Sequence, residues 1–173
     1  QESVNAMNFL NEAQAYEGEM RAFFEDLHRH PEPSHFENRT NRRVREQLKA
    51  HGIDMLCPKD NITIAVIHGA KPGKTVGLRF DTDALQLQEL CDVPYKSEHD
   101  GLMHGCGHDM HTAMVLGAAK LLKEHEDEIE GTVKLEFQPA EEIFQGSLDM
   151  ISSGLLENPK VDAAVMFHVL AGM

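Results

Sequence analysis

The residue types best suited to chemistry lie in the stretch His104–Asp109, where one cysteine and two histidines share six positions. Cys106 and His108 are two residues apart, and glycines on either side of the cysteine make this backbone compliant. Thiolate and imidazole are the usual ligands of zinc. A lone Cys-x-His pair is weak evidence, because an isolated buried cysteine more often packs in a core. The stretch therefore indicates a metal site only if further ligand side chains lie close to it in the folded chain.

Polar side chains also follow three predicted strands. Asp81 and Asp83 follow one strand, Glu141 and Glu142 follow a second, and His168 ends an apolar third. In open α/β sheets, binding sites gather at the carboxyl ends of strands. Each residue alone has a plainer interpretation, as a turn-forming aspartate, an exposed glutamate or a hydrogen-bonded core histidine. The convergence of three strand ends favours a site.

The two adjacent glutamates need a break in the strand before them. Neighbouring residues on a regular strand point to opposite faces, so Glu141 and Glu142 can serve one site only where the backbone turns. Pro139 supplies that break, because it cannot donate to the strand ladder. One carboxylate is then available to a metal, and its neighbour stays free as a general base.

Hydrophobic periodicity predicts the elements that must position these residues. Apolar steps of three and four indicate one amphipathic helix from Val4 to His28, with His28 and His30 as polar caps near its end. Three further helices and four strands follow. The helices cover 37–50, 109–125 and 146–153; the strands cover 61–68, 75–80, 132–138 and 161–169.

The alternation of helices with strands predicts an α/β domain with a largely parallel mixed sheet flanked by helices. The turn signal Gly69–Gly73 joins the first two strands as a hairpin, the candidate antiparallel pair. The last strand, almost continuously apolar, is expected at the centre of the sheet. A long loop over residues 81–107 carries part of the chemistry, as long loops inside compact domains often do.

Composition narrows the class of function. The chain has 173 residues and a net charge of −13, which argues against a nucleic-acid or anionic-membrane partner. No run approaches the roughly 18 apolar residues of a membrane helix. Three cysteines without a Cys-x-x-Cys motif exclude a closed disulfide framework and a four-cysteine zinc module. We therefore expect a soluble globular protein of the reducing cytoplasm.

Several motifs together resemble the M20 peptidase family, in its amidohydrolase subfamily. They are LRFDTDAL at 78–85, HGCGHDMHTA at 104–113, FQPAEE at 137–142 and FHVLAG at 167–172. The segment FEDLHRHPEPSHFENRT at 24–40 is similar to the family's N-terminal segment. That subfamily includes N-acyl-amino-acid amidohydrolases, hippurate hydrolases and auxin-conjugate hydrolases. The resemblance covers nearly the whole chain and is carried by the motifs in combination.

The resemblance implies roles for seven residues. Glu141 matches the general base, and the metal ligands would be Cys106, His108, Glu142 and His168. Asp83 matches a supporting position that orients His108. Asp81 matches a motif beside the metals and is a candidate for supporting them. Apart from the resemblance, His104 and His111 lie close enough to these ligands in the sequence to support the metals or to contact substrate.

The resemblance also implies a zinc-peptidase-like catalytic domain with two divalent ions, zinc or manganese, that hydrolyses N-acyl-amino acids. Residues 1–173 would form its N-terminal portion. A lid or dimerisation domain, through which such enzymes form homo-oligomers, and a closing segment with another histidine ligand would lie outside it. Two alternatives remain open: a dipeptidase or aminopeptidase of the same superfamily, and a metal-binding fragment without catalysis.

Overall fold

The computed structural model of the protein describes residues 2–170, with side chains described for residues 9–170. Helices and strands alternate along this part of the chain. The helices are α1 (Glu2–Ala15), α2 (Glu17–Arg29), α3 (Asn38–Ala50), α4 (His108–Glu124) and α5 (Gly146–Ser152). The strands are β1 (Asp54–Lys59), β2 (Ile62–His68), β3 (Lys71–Asp81), β4 (Glu130–Gln138) and β5 (Ala163–Met166). Among the described residues, no helix is long and apolar enough to cross a membrane.

The strands form one mixed sheet in the order β1-β2-β4-β3-β5. β3 runs parallel to both β4 and β5, and the other two pairings are antiparallel. The register of β3 with β4 sets Asp81 opposite Gln138, so both strands end at the same level. The α/β class and the mixed sheet flanked by helices are thus confirmed, and the chemistry-bearing ends of β3 and β4 lie side by side.

The predicted hairpin between the strands at 61–68 and 75–80, which are β2 and β3 in the structure, is wrong. β2 and β3 do not pair, because β4 inserts between them. The link between them passes the start of β4 so closely that a Cβ on Gly69 would lie 2.3 Å from the Ile129 carbonyl oxygen. The hairpin partner of β2 is instead β1, an exposed strand whose sequence lacks the β-branched residues that would predict it.

The predicted first helix is two helices that meet at Tyr16. The Tyr16 amide donates to the Ala13 carbonyl three residues back, which interrupts the regular α-helical pattern. The Tyr16 hydroxyl donates to Glu124 at the end of α4, and the Lys120 ammonium lies 4.3 Å from the ring centroid. Contacts with a distant helix therefore accompany the break at Tyr16, and hydrophobic periodicity within the segment does not reveal them.

The two faces of the sheet differ in chemistry. Helices α2, α3 and α4 cover one face, where Leu135 and Phe137 of β4 lie fully buried in the main apolar core. On the other face the alternate residues of β4 are polar and nonetheless buried: Lys134, Glu136 and Gln138. The Lys134 ammonium donates to the carbonyls of Leu155 and Glu157, which ties the segment after α5 to the sheet.

The predicted central strand lies at an edge. β5 spans Ala163–Met166, shorter than the predicted 161–169, and within the described chain it pairs with β3 alone. All four of its residues are exposed.

Replacing Gly146 by alanine tests the close packing at the start of α5. An added Cβ would lie 1.5 Å from the Pro139 carbonyl oxygen, so the backbone would have to move. We expect the free energy of unfolding, measured by urea denaturation, to fall by about 2 kcal/mol or more.

The control for this change is Gly18→Ala, where an added Cβ meets nothing within 4 Å. That substitution lies inside α2 and should raise the free energy of unfolding by about 0.5–1 kcal/mol. A Gly146→Ala protein as stable as the wild type would contradict the packing described for Pro139.

Candidate metal centre

The candidate ligands lie close together, at the carboxyl ends of three strands and at the N-terminus of one helix. β3 ends at Asp81, β4 leads through a tight turn to Glu141 and Glu142, and β5 leads to His168. α4 begins at His108, directly after a glycine with φ of 80° that turns the chain into the helix. The convergence predicted from the sequence is therefore present in the structure.

His108 lies at the centre of this arrangement. Its side chain is fully buried, and its Nε2 atom lies 3.9 Å from a carboxylate oxygen of each of three acidic residues. These residues are Asp81, Glu141 and Glu142. The Nε2 atom has no hydrogen-bond partner among the described residues. A buried imidazole nitrogen facing three carboxylates without bonding any of them is suited to a cation between them.

Cys106 and His168 complete the group from the other side. The Cys106 Sγ atom lies 3.3 Å from His168 Nε2, and ligand atoms of these two residues and His108 lie within 4.8 Å of one another. Burial, together with the negative charge of Glu142, raises the pKa of the Cys106 thiol to about 11. Without a cation the thiol stays protonated at neutral pH, whereas a bound metal stabilises the thiolate.

Asp83 fixes His108 and the glutamate turn together. One carboxylate oxygen lies 3.2 Å from His108 Nδ1, and the other accepts hydrogen bonds from Ser34 Oγ at 2.7 Å and the Glu142 amide at 3.0 Å. Burial raises the pKa of Asp83, but these hydrogen bonds outweigh it and hold the pKa below its usual value. As an ionised acceptor, Asp83 favours the proton on His108 Nδ1 and leaves Nε2 free to bind a metal.

Asp81 belongs to the same cluster and has a cationic neighbour. The Arg79 Nη2 atom lies 2.5 Å from Asp81 Oδ1, while Oδ2 has no hydrogen-bond donor among the described residues. Burial raises the pKa of Asp81 to about 6, although the positive charge of Arg79 opposes the shift. Arg79 also donates to Gln138 Oε1 at 2.8 Å and so links the ends of β3 and β4. Nothing in the sequence patterns indicated this arginine.

The two remaining histidines of the stretch occupy different surroundings. His111 packs against His108 with ring centroids 5.3 Å apart, and its Nδ1 atom lies 3.9 Å from Asp81 Oδ2. Its Nε2 atom accepts a hydrogen bond from the Val169 amide at 2.9 Å. His104 is buried beside His28 and is absent from the ligand groups of the described residues. Burial lowers the pKa of both His104 and His111 to about 4.

The side chains present fit a divalent metal. The ligand atoms around His108 Nε2 are 3.9 Å away, and two ligands of one zinc ion are typically about 3.4–3.8 Å apart. The unpartnered buried atoms include His108 Nε2, Asp81 Oδ2 and Glu142 Oε1. Buried polar atoms without partners are costly, and a cation among them would satisfy all three.

The interpretation of His28 as a helix cap is wrong, whereas His30 does bond to a carbonyl of its own helix, that of Asp26. His28 Nδ1 lies 2.6 Å from Asp109 Oδ2, and its Nε2 lies 3.1 Å from Glu89 Oε1. Asp109, the residue after His108, is thereby linked through His28 to α2 and to Glu89 of the long loop. The partners lie 81 and 61 residues away along the chain, so local pattern could not reveal them.

Comparison with known proteins places this cluster in a family context. Residues 77–173, more than half of the chain, match the model of peptidase family M20/M25/M40. The chain is 44% identical over 143 residues to IAA-amino acid hydrolase ILR1-like 4 of Arabidopsis thaliana, covering 83% of this chain and 32% of that protein. It is 43% identical over 133 residues to N-acetylcysteine deacetylase of Bacillus subtilis, covering 76% of this chain and 35% of that protein.

A solved structure is also similar. The Bacillus subtilis YXEP protein, a dinuclear metal-binding peptidase from the M20 family, superposes with a TM-score of 0.87 at 38% identity. The match covers 91% of this chain and 44% of that one. The chain therefore spans about a third of the length of the two curated relatives and less than half of this structure.

Replacing His28 by glutamine should make stability depend less on pH. The hydrogen bond to Asp109 raises the pKa of His28 in the folded protein, against the opposing effect of burial. The stabilisation is fully present below the unfolded pKa of about 6.5 and is lost as pH rises through the higher folded value. We expect the wild type to exceed His28→Gln in free energy of unfolding by more at pH 6 than at pH 9, measured by urea denaturation. A difference that is constant or grows with pH would contradict this role.

Proposed function

Since this chain belongs to peptidase family M20/M25/M40, as its motifs indicated, we propose that it forms part of a metal-dependent amidohydrolase that cleaves N-acyl-amino acids. The observation that carries the proposal is the buried His108 Nε2 atom, unpartnered and facing three carboxylates beside Cys106 and His168. Relatives named as an IAA-amino acid hydrolase and an N-acetylcysteine deacetylase support this substrate class.

We assign the metal-binding role to Cys106, His108, Glu142 and His168. The group combines one thiolate, two imidazoles and one carboxylate, a set suited to zinc, while the neighbouring carboxylates also suit manganese. The name of the similar B. subtilis structure includes a dinuclear metal site, which supports two ions here. Asp83 orients His108, and Arg79 partly offsets the negative charge of Asp81.

Glu141 is the proposed general base. Its side chain is 28% exposed, so its carboxylate can reach both the cluster and a substrate at the open edge of the site. When bound, the metal ions supply positive charge that polarises the amide carbonyl and lowers the pKa of water. Glu141 accepts the proton of the attacking water and returns it to the leaving amine nitrogen. Asp83 and the Glu142 amide hold the adjacent backbone in place during these transfers.

The metal content of the purified chain tests the site directly. We expect one or two equivalents of zinc or manganese per chain by elemental mass spectrometry. Cys106→Ser should lose most of that metal, because it replaces the thiolate ligand. Cys57→Ser is the matched control, since Cys57 is exposed and outside the cluster, and it should keep the wild-type content. No metal in the wild type, even after reconstitution, would contradict the proposal.

A substrate panel tests the reaction. Metal-loaded protein should hydrolyse N-acetyl-amino acids in preference to dipeptides, and the reverse preference would favour the dipeptidase alternative. We expect Glu141→Gln to lower kcat by at least about 100-fold, because the base is lost, while metal content stays near the wild-type value. Glu126→Gln, which changes a partly exposed carboxylate beyond the end of α4 and outside the cluster, is the control. Wild-type turnover in Glu141→Gln would show that another group is the base.

A further inference from the structure

Glu37 is a buried carboxylate that the proposed reaction does not use. It lies at the start of α3, more than one hundred residues before the glutamate pair, and its side chain is fully buried. A buried carboxylate costs free energy unless hydrogen bonds compensate it. Burial also raises the pKa of Glu37. Such a residue calls for a structural or functional reason.

The hydrogen bonds of Glu37 lead to the turn before the glutamates. Its Oε1 atom accepts from the Ala140 amide at 2.7 Å and from the His35 amide at 3.0 Å. Its Oε2 atom accepts from Asn61 Nδ2 at 3.2 Å. The Ala140 amide is buried, and a buried amide needs an acceptor. Glu37 supplies that acceptor directly before Glu141.

The turn at Ala140 needs such support. Ala140 has φ of 50°, a left-handed conformation that costs free energy for a residue with a Cβ. Its carbonyl accepts the amides of Gln145 and Gly146 at 3.2 and 3.1 Å, which closes the turn on itself. Because Pro139 has no amide and the strand ladder ends at Gln138, nothing in β4 holds Ala140.

The residues beside Glu37 hold the same turn from its far side. Ser34 Oγ donates to Asp83 Oδ2 at 2.7 Å, the oxygen that accepts the Glu142 amide. The His35 ring lies 2.9 Å from Gln145 Oε1. The segment Ser34–Glu37 therefore contacts the turn before and after the two glutamates, so that Glu141 and Glu142 lie between two fixed points.

From these contacts we propose that Glu37 is a positioning residue, which fixes the backbone of the glutamate turn and so sets where the Glu141 and Glu142 carboxylates lie. It acts as a hydrogen-bond acceptor of defined reach, and its charge is not what the turn requires. The expected effect of Glu37 on metal affinity rests on the proposed function, because it requires the metal site. The expected effect of Glu37 on the backbone of the turn does not depend on that site.

Two substitutions separate reach from charge. Glu37→Asp keeps the charge but shortens the side chain by one methylene, so it cannot reach the Ala140 amide. Glu37→Gln keeps the length, and its carbonyl oxygen can accept both amides while its NH₂ group faces Asn61, whose amide can turn over to accept. Glu46→Asp, on the exposed face of the same helix, is the matched control.

Amide hydrogen exchange measures directly how well the backbone amides of the turn are protected. We expect Ala140 to exchange at least about tenfold faster in Glu37→Asp, as one lost hydrogen bond implies. The Leu135 amide, in the middle of β4, should keep its wild-type rate, which separates local loosening from global destabilisation. Glu37→Gln and Glu46→Asp should match the wild type at both positions. Unchanged exchange at Ala140 in Glu37→Asp, or equal acceleration in Glu37→Gln, would overturn the proposal.

Zinc affinity, measured by competition with a chelating dye, tests whether loosening the turn weakens metal binding at the site. We expect Glu37→Asp to bind zinc about tenfold more weakly, with Glu37→Gln and Glu46→Asp near the wild type. Unchanged affinity in a Glu37→Asp protein whose Ala140 amide exchanges faster would overturn the link to the carboxylates. A wild type that binds no metal would contradict the proposed function, and the exchange data would then decide the role of Glu37 alone.

Ser34→Ala keeps the test decisive if Glu37→Asp does not fold. Removing the Ser34 hydroxyl loosens the Asp83 carboxylate that accepts the Glu142 amide, so that amide should exchange faster while Leu135 stays unchanged. Wild-type exchange at Glu142 would overturn the role of the segment.

Discussion

The Asp83 carboxylate connects three separate parts of the chain at the site. It accepts from Ser34 of the N-terminal segment and from the Glu142 amide of the glutamate turn, and it orients His108 at the start of α4. These three partners come from segments that lie far apart along the chain. Because the carboxylate is buried, each of these hydrogen bonds is stronger than it would be in water, and each is costly to lose. This one buried acceptor therefore fixes His108 and the backbone of Glu142 relative to each other.

The electrostatics of the cluster explain why a cation belongs there. Asp81, Glu141 and Glu142 lie close together, and Arg79 is a cation that contacts one of them. Like charges at this distance repel, and burial adds to the cost. Both effects appear as raised pKa values for Asp81 and for the Cys106 thiol. Such a group of acids is stable in its charged form only with added positive charge, which a divalent ion supplies.

Much of this arrangement could be predicted from the sequence. The helix after His108, the strand before Pro139 and the meeting of three strand ends all follow from periodicity and from the position of polar residues. What could not be predicted depends on partners far along the chain. No local sequence pattern predicts that β4 inserts between β2 and β3, or that His28 bonds to Asp109. The polar residues of β4 alternate with apolar ones, as on a strand with one face in solvent. Lys134 is nonetheless buried, because two carbonyls distant in the sequence accept hydrogen bonds from its ammonium group.

The parallel pairing of β3 with β4 has a consequence for how the protein folds. β3 ends at Asp81 and β4 begins at Glu130, so the long loop and all of α4 lie between these two strands in the sequence. Pairings across such separations form late and slowly, because the chain loses entropy before the contacts reward it. The candidate ligands run from Asp81 to His168 and meet only when that alignment is complete. A metal ion would therefore act on the finished fold, drawing the folding equilibrium toward it by mass action rather than guiding its early steps.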